Sequence, residues 1–519
     1  MIKAFFLGIT GSALLLATTA HADQLIAESE NIVLYGDVNP RQAKETVEKM
    51  EVYRKLIMTL GGVKPIADKK KLTIYAFEND SAIRKFTGIN GIAGVYTHGY
   101  DGPVMITTLA GSDNQNSFDN QVALHEYSHH VLHGYMDTAY PRWYDEGFAN
   151  YLSTFTLRDG TIQIGRAAAK HAQGLMRGGP DWVDVEDVIG AIRVYPFADK
   201  GRKRGVLLNQ FYAQGWLYVH YLHSNKELSP RLGDYLNLVN SGVEPIKAFE
   251  QGFGISPQEF HKAARKYFRD NKFKVQQFQP KAEFMDVKVK RKRLSKPELS
   301  MKMALGQRAF LSKRNASDYA KKLNSYESEK GQTAQSLSAR ASYFITKEDY
   351  DQALTYSQSA LAKAPNSVES LRVVGDVYFH KSNHEAFKDL KDADPRVFKV
   401  NDDMKKSISY FERALRQNDE DYASVTHLVS LYGVSDIPLT SAARNAALVF
   451  EEIYWDSNDV SGTLDLANIH MKSGKISEAC EYFITAKLQA ENDPKKEKSR
   501  LYNRVKLMKP DFSDKCDLS

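Results

Sequence analysis

His125-Glu126-Tyr127-Ser128-His129, completed by Trp143-Tyr144-Asp145-Glu146-Gly147-Phe148-Ala149, is the pair of segments around which the sequence is organised. A helix over 121–134 sets His125 and His129 one turn apart on a shared face, where two imidazoles can reach one metal ion. Glu126 falls on the adjoining flank, placed to hold a water rather than the metal. Val122, Ala123, Leu124, Val131 and Leu132 supply the apolar body of a buried helix. The second segment also reads as a helix, and Glu146, seventeen positions after His129, is offered as a third ligand. Two imidazoles and one carboxylate leave a tetrahedral ion one open position, the pattern of a catalytic rather than a structural site. Zinc suits such a donor set; cobalt and manganese are not excluded by it.

At these residues the chain resembles the gluzincin zinc metallopeptidases, thermolysin-like folds that take two His from H-E-x-x-H and a Glu from a following helix. The W-x-x-E-G-F-A wording is closest to the aminopeptidase N-like branch and to peptidase-MA-like proteins. The resemblance covers about residues 72–270. It implies one Zn²⁺ per chain on His125, His129 and Glu146, with Glu126 as general base. It also implies an α+β thermolysin-like domain, a small mixed sheet plus a helical subdomain. Asn150, four after Glu146, stands where relatives carry an Asp that accepts the other N–H of a ligand histidine. Tyr212, in Tyr212-Ala213-Gln214-Gly215, matches the Y-x-x-G stretch that holds the catalytic Tyr of aminopeptidase N-like enzymes, although a Tyr there equally suits core packing. His171 and His220 are the alternatives for that role. The family's substrate-pairing edge strand maps to Gly94-Val95-Tyr96, which also reads as a surface hairpin. The G-x-M-E-N motif that anchors a free amine has no counterpart over 72–124, so endopeptidase action is expected. His130 and His133 are expected to point elsewhere, each as a polar contact or a surface residue, and Trp143 and Phe148 to pack rather than line a substrate pocket.

With 519 residues the chain is too long for one core. Its 70 basic and 64 acidic residues nearly cancel, for a formal charge of +6, so nucleic acid is not an implied partner. Residues 1–22 read as a signal peptide: Lys3, an apolar run from Phe5 to Leu16, and Ala20-His21-Ala22 as the cleavage site. The mature chain then starts at Asp23, without a transmembrane segment, in the periplasm or outside the cell. Cys480 and Cys516 either form one disulfide pinning the C-terminal tail or stand as two buried thiols.

The metallopeptidase-like domain is placed at 23–272. Strands are expected near 31–35, 71–77 and 104–107, with a helix from Pro40 to about Leu60 ended by Gly61-Gly62. Residues 273–299, with a basic run over 288–293, form a linker that can add a strand. From 300 to 519 the sequence changes character. Ala341 and Ala353 lie twelve apart, as do Ala467 and Ala479, with Phe344, Ala360, Phe483 and Ala486 at further fixed offsets. A second unit starts at Leu371, Gly375 and Tyr378, is displaced by an insertion over 389–403, and resumes at Ile408, Phe411 and Ala414. This pattern resembles an all-α tetratricopeptide (TPR-like) solenoid, which recruits protein substrates or partners. The leading expectation is an exported zinc metallopeptidase, a hydrolase of peptide bonds. The alternatives are a catalytically silent metallopeptidase-like scaffold in the cell envelope and a metal-dependent hydrolase of another substrate.

Overall fold

The computed structural model describes residues 24–68, 70–90, 94–109, 118–135, 140–167, 169–177, 182–191, 204–271, 273–388, 400–454, 460–491 and 500–516. The proposed signal peptide and the start at Asp23 lie outside them, as does most of the insertion after residue 388. The architecture is α+β, a small mixed sheet accompanied by many helices. Among the described residues no helix is long and apolar enough to cross a membrane.

Strands β1 (Gln24–Glu28) and β2 (Ile32–Asp37) form an antiparallel pair, and helix α1 (Pro40–Leu60) crosses over to β3 (Leu72–Phe77), which lies parallel to β2. Asn39 starts α1 by accepting from the Arg41 and Gln42 amides, with Pro40 at the first helical position, and Gly61 follows its end. After α2 (Asp80–Thr87), β4 (Gly94–Gly99) and β5 (Gly102–Thr108) form a hairpin whose β5 arm pairs parallel to β3. The six-stranded order is β4-β5-β3-β2-β1-β9, so β4 is an edge.

Strand alternation gives the sheet two cores. Ile32, Leu34, Leu72, Ile74 and Met105 join the large core beneath α1, whereas Tyr75, Val104 and Ile106 join Ile83 and Phe86 on the other face.

Helices α3 (Phe118–Tyr135) and α4 (Arg142–Leu152) come next, then the hairpin β6 (Thr156–Arg158) and β7 (Thr161–Ile164). Helices α5 (Ala169–Arg177), α6 (Val185–Ile189), α7 (Arg204–Ser224), α8 (Leu232–Asn240), α9 (Pro245–Phe253) and α10 (Pro257–Arg269) complete the helical half.

Residues 273–299, read as a linker, are built into the fold. β8 (Gln276–Phe278) pairs with β7, helix α11 (Ala282–Met285) follows, and β9 (Lys290–Arg293) pairs with β1 at the far edge. All four side chains of β9 are exposed, and basic side chains on an edge discourage pairing with another chain.

Helix α12 (Lys296–Gln307) then returns to the second face of the sheet, and its Gly306 lies against the Tyr75 ring where a methyl group would not fit. Ten more helices follow among the described residues: α13 (Ala316–Lys330), α14 (Ala334–Thr346), α15 (Tyr350–Lys363), α16 (Val368–Lys388), α17 (Asp402–Gln417), α18 (Tyr422–Val434), α19 (Ser441–Tyr454), α20 (Val460–Lys472), α21 (Ile476–Glu491) and α22 (Arg500–Ser513). Successive helices are neighbours in space, most closely α14 with α15, α16 with α17 and α20 with α21. The spaced small residues Ala341, Ala353, Ala467 and Ala479 are fully buried. A Cβ on Gly375 would stand 2.7 Å from the Phe411 ring, so glycine sets how closely α16 and α17 approach. Cys480 and Cys516 form a disulfide, which ties the end of the chain to α21.

This helical array is docked on the sheet. The Tyr100 ring, in the β4–β5 turn, lies between the Arg308 and Arg372 guanidinium groups at 4.3 and 4.8 Å. Arg372 donates to the Tyr100 carbonyl at 3.2 Å and pairs with Asp421 at 2.5 Å, while Arg308 pairs with Glu369 at 2.8 Å. His98 on β4 stacks on Tyr422 of α18 at 5.1 Å.

Candidate metal centre

Helix α3 is fixed from the α1 side. The Tyr53 hydroxyl lies 2.6 Å from Ser128 Oγ and donates to the Leu124 carbonyl at 3.2 Å, while Tyr127, Val131 and Leu132 are fully buried. That anchoring turns the face carrying His125 and His129 toward α4. In turn, α4 is pressed against α7 at a glycine pair. A Cβ on Gly147 would collide with the Gly215 carbonyl, and one on Gly215 would stand 2.9 Å from the Trp143 carbonyl. The Glu-Gly step thus holds the ligand carboxylate at a close backbone crossing. Trp143, fully buried, donates its Nε1–H to the Tyr235 hydroxyl at 3.0 Å, and Phe148 is buried; both pack as expected.

The result is a triangle of donor atoms. His125 Nε2 and His129 Nε2 are 3.1 Å apart, and Glu146 Oε2 lies 3.2 and 3.5 Å from them. Metal–ligand bonds of about 2.0–2.2 Å at tetrahedral angles place ligand atoms about 3.3–3.6 Å apart, so the triangle's edges come within about 0.2 Å of what one four-coordinate ion requires. The donor set, two imidazole nitrogens and a carboxylate oxygen, suits zinc. Glu146 Oε1 faces Arg142 at 3.5 Å. Burial works to raise the Glu146 carboxyl, but hydrogen bonds from His125 and His129, with the Arg142 charge, hold it well below the usual carboxylate range. For His129, burial works to lower the pKa, and Asp145 and Glu146 together lift it well above the ordinary imidazole value. The cluster therefore draws positive charge to itself.

Glu126 is half-buried on the flank of α3 facing β4. Its charge is felt by Tyr96, whose hydroxyl is pushed well above its ordinary pKa by burial first and by Glu126 second. Tyr212 comes from the third turn of α7, and its ring stands edge-on to His125 with centroids 6.5 Å apart. His220 is spoken for elsewhere: buried, it donates to the Gly165 carbonyl at 2.7 Å and lies 2.9 Å from the Tyr267 hydroxyl. His171 stacks on Trp216, one turn beyond Tyr212.

One sequence expectation is corrected. Asn150 does not serve a ligand histidine. Its amide donates to the Glu146 carbonyl at 2.8 Å and its Oδ1 faces His171 Nε2 at 3.0 Å. The carboxylate at His129 is Asp145 instead, with Oδ1 3.2 Å from His129 Nδ1. His133 makes a polar contact, as expected, its Nε2 lying 3.0 Å from the same Asp145 oxygen. The signal was present in the spacing, because His125, His129 and His133 recur every four residues and Asp145 directly precedes Glu146. His130 does turn aside, half-buried against Tyr127, Tyr96 and His98.

Among the described residues only two groups of metal-ligand type converge, His125–His129–Glu146 and His129–His133–Asp145, and they share His129. No protein-family model matches the chain, and no curated protein is similar enough to count as a relative.

Proposed function

We propose that the chain is a zinc-dependent hydrolase of peptide bonds, with His125, His129 and Glu146 holding one ion. The observation that carries this reading is the donor triangle of 3.1, 3.2 and 3.5 Å, whose edges suit one tetrahedral cation. The chemistry a bound zinc supplies is polarisation of the scissile carbonyl and acidification of water. The protein's own groups do the rest. Glu126 takes the proton from the attacking water and returns it to the leaving amine. The Tyr212 hydroxyl donates to the carbonyl oxygen as negative charge gathers there, a contact worth about 3 kcal/mol in comparable sites. β4 is an edge strand packed along α3, so its outer ladder can accept an extended polypeptide as an added strand. With no amine-anchoring motif before His125, internal cleavage is the expected mode.

The thermolysin-like reading of residues 23–272, the TPR-like reading of 300–519 and the exported location belong to the same proposal. On it, the helical array recruits protein substrates or partners while docked beside the cleft.

Metal analysis of the purified protein tests this directly. About one zinc per chain is expected, lost in His125→Ala. Glu126→Gln should keep the ion while cleavage of an unfolded protein such as casein falls about 10²–10⁴-fold. A wild-type protein that binds zinc and cleaves no peptide would favour the silent scaffold.

A further inference from the structure

We infer that Asp145 is the positioning residue that fixes His129 for metal binding, and that His133 shares this carboxylate without ligating the ion. The inference rests on the zinc site proposed above.

Asp145 and Glu146 are consecutive on α4, about 100° apart around the helix. They consequently reach opposite sides of one imidazole: Asp145 Oδ1 lies 3.2 Å from His129 Nδ1, and Glu146 Oε2 lies 3.5 Å from His129 Nε2. An imidazole that ligates a metal keeps one N–H, and an acceptor at Nδ1 draws it there. The Nε2 lone pair is then left facing the other two ligands. The ring cannot turn over without losing the Asp145 bond, so both tautomer and orientation are set from one helix. Because Asp145 is 2 % exposed, water does not compete for it.

Helix capping does not account for this aspartate. The position that caps α4 is Pro141, which makes no side-chain capping bond, and Asp145 Oδ2 has no hydrogen-bond partner among the described residues. What the carboxylate does touch is two imidazoles, His129 and His133, both on Oδ1. A second donor on one oxygen divides its charge, so His133 moderates the pull on His129.

The test uses the full chain, with zinc as the probe. Zinc affinity is measured by competition with a chelator for wild type, Asp145→Asn and His133→Phe. The His129 Nδ1–H resonance of the zinc-loaded protein is read by ¹⁵N-histidine NMR. Asp145→Asn should raise the zinc Kd about 10–100-fold. It should also move the Nδ1–H resonance upfield, because an amide oxygen replaces a carboxylate. His133→Phe should leave the Kd unchanged or lower and keep the downfield resonance. An aspartate that only favours the first turn of α4 would alter stability and leave both readouts alone, which would overturn the inference. A second equivalent of zinc that disappears in His133→Phe would also overturn it, making Asp145 and His133 ligands of a separate ion. Should Asp145→Asn fail to fold, the wild-type resonance decides: downfield and slowly exchanging supports the inference, absent overturns it. A wild type that binds no zinc removes the proposed function itself, and this inference with it.

Discussion

The metal centre between α3 and α4 and the charged seam around Tyr100 both bury ionisable groups, yet they balance them in opposite ways. At the seam each interior charge meets its complement: Arg308 with Glu369, Arg372 with Asp421, and both guanidinium groups on the Tyr100 ring. At the centre, two imidazole nitrogens and a carboxylate oxygen face one another, and the nearby cation, Arg142, sits on the far oxygen of Glu146. Both arrangements pay desolvation. Only the second gathers metal-ligand donors on one point. Converging donors mark a candidate site, while matched charges mark a joint.

The sharpest way to break that contrast is to unbalance the joint. Arg372→Ala leaves Asp421, 3 % exposed, without its guanidinium. Removing one partner of a buried pair costs about 3–5 kcal/mol. Arg372→Met combined with Asp421→Asn should restore most of this loss, since both charges are gone and Asn can still cap α18 in place of Asp421. Denaturant unfolding reads the stability, and chelator competition should find the zinc Kd unchanged in both variants. A change in zinc affinity would mean that the joint and the site are one unit.

The converse change strikes the centre. Gly147→Ala drives a methyl into the Gly215 carbonyl, and overpacking of this kind costs about 1–3 kcal/mol. As α4 backs away from α7 it carries Glu146 with it, so the zinc Kd should rise alongside the loss of stability. A destabilised variant with native zinc affinity would show that the α4–α7 crossing does not set the Glu146 position.

These two regions were also unequally legible in the sequence. His125 and His129 lie one turn apart on α3, where helical spacing sets them on one face, and Glu146 on α4 is legible through the resemblance of its W-x-x-E-G-F-A segment. The same logic misplaced the outer partner. Asn150 is one turn from Glu146 and looks correct on a helix, but it is claimed by its own backbone and by His171 from α5. β9 reads as a charged connector because its side chains all face water; only its backbone pairing with β1 makes it a strand. The seam had no local signature at all. Tyr100, Arg308, Arg372 and Asp421 are far apart in the chain, and no periodicity links a ring in a hairpin turn to two distant guanidinium groups, one just past the end of α12 and one on α16.

The smallest effect expected is also the one that tests how dry the joint is. His98 stacks on Tyr422, and burial first, then His130 and Lys70, push its pKa down to about 3. In the unfolded chain the value is about 6.5. As pH falls below 6.5 the unfolded state takes up a proton that the folded state refuses. The His98 contribution is thus fully present above about pH 6.5 and is lost progressively toward pH 3, at up to about 1.4 kcal/mol per pH unit. His98→Gln keeps a polar side chain that does not titrate, so its stability should fall less steeply between pH 6.5 and 5. The comparison belongs in chelator, where release of zinc adds no slope of its own. Equal slopes for the two proteins would mean that His98 takes up its proton in the folded state, with water already between β4 and α18. The matched charges around Tyr100 would then hold a wet contact, and the contrast with the metal centre would rest on pairing alone rather than on exclusion of solvent.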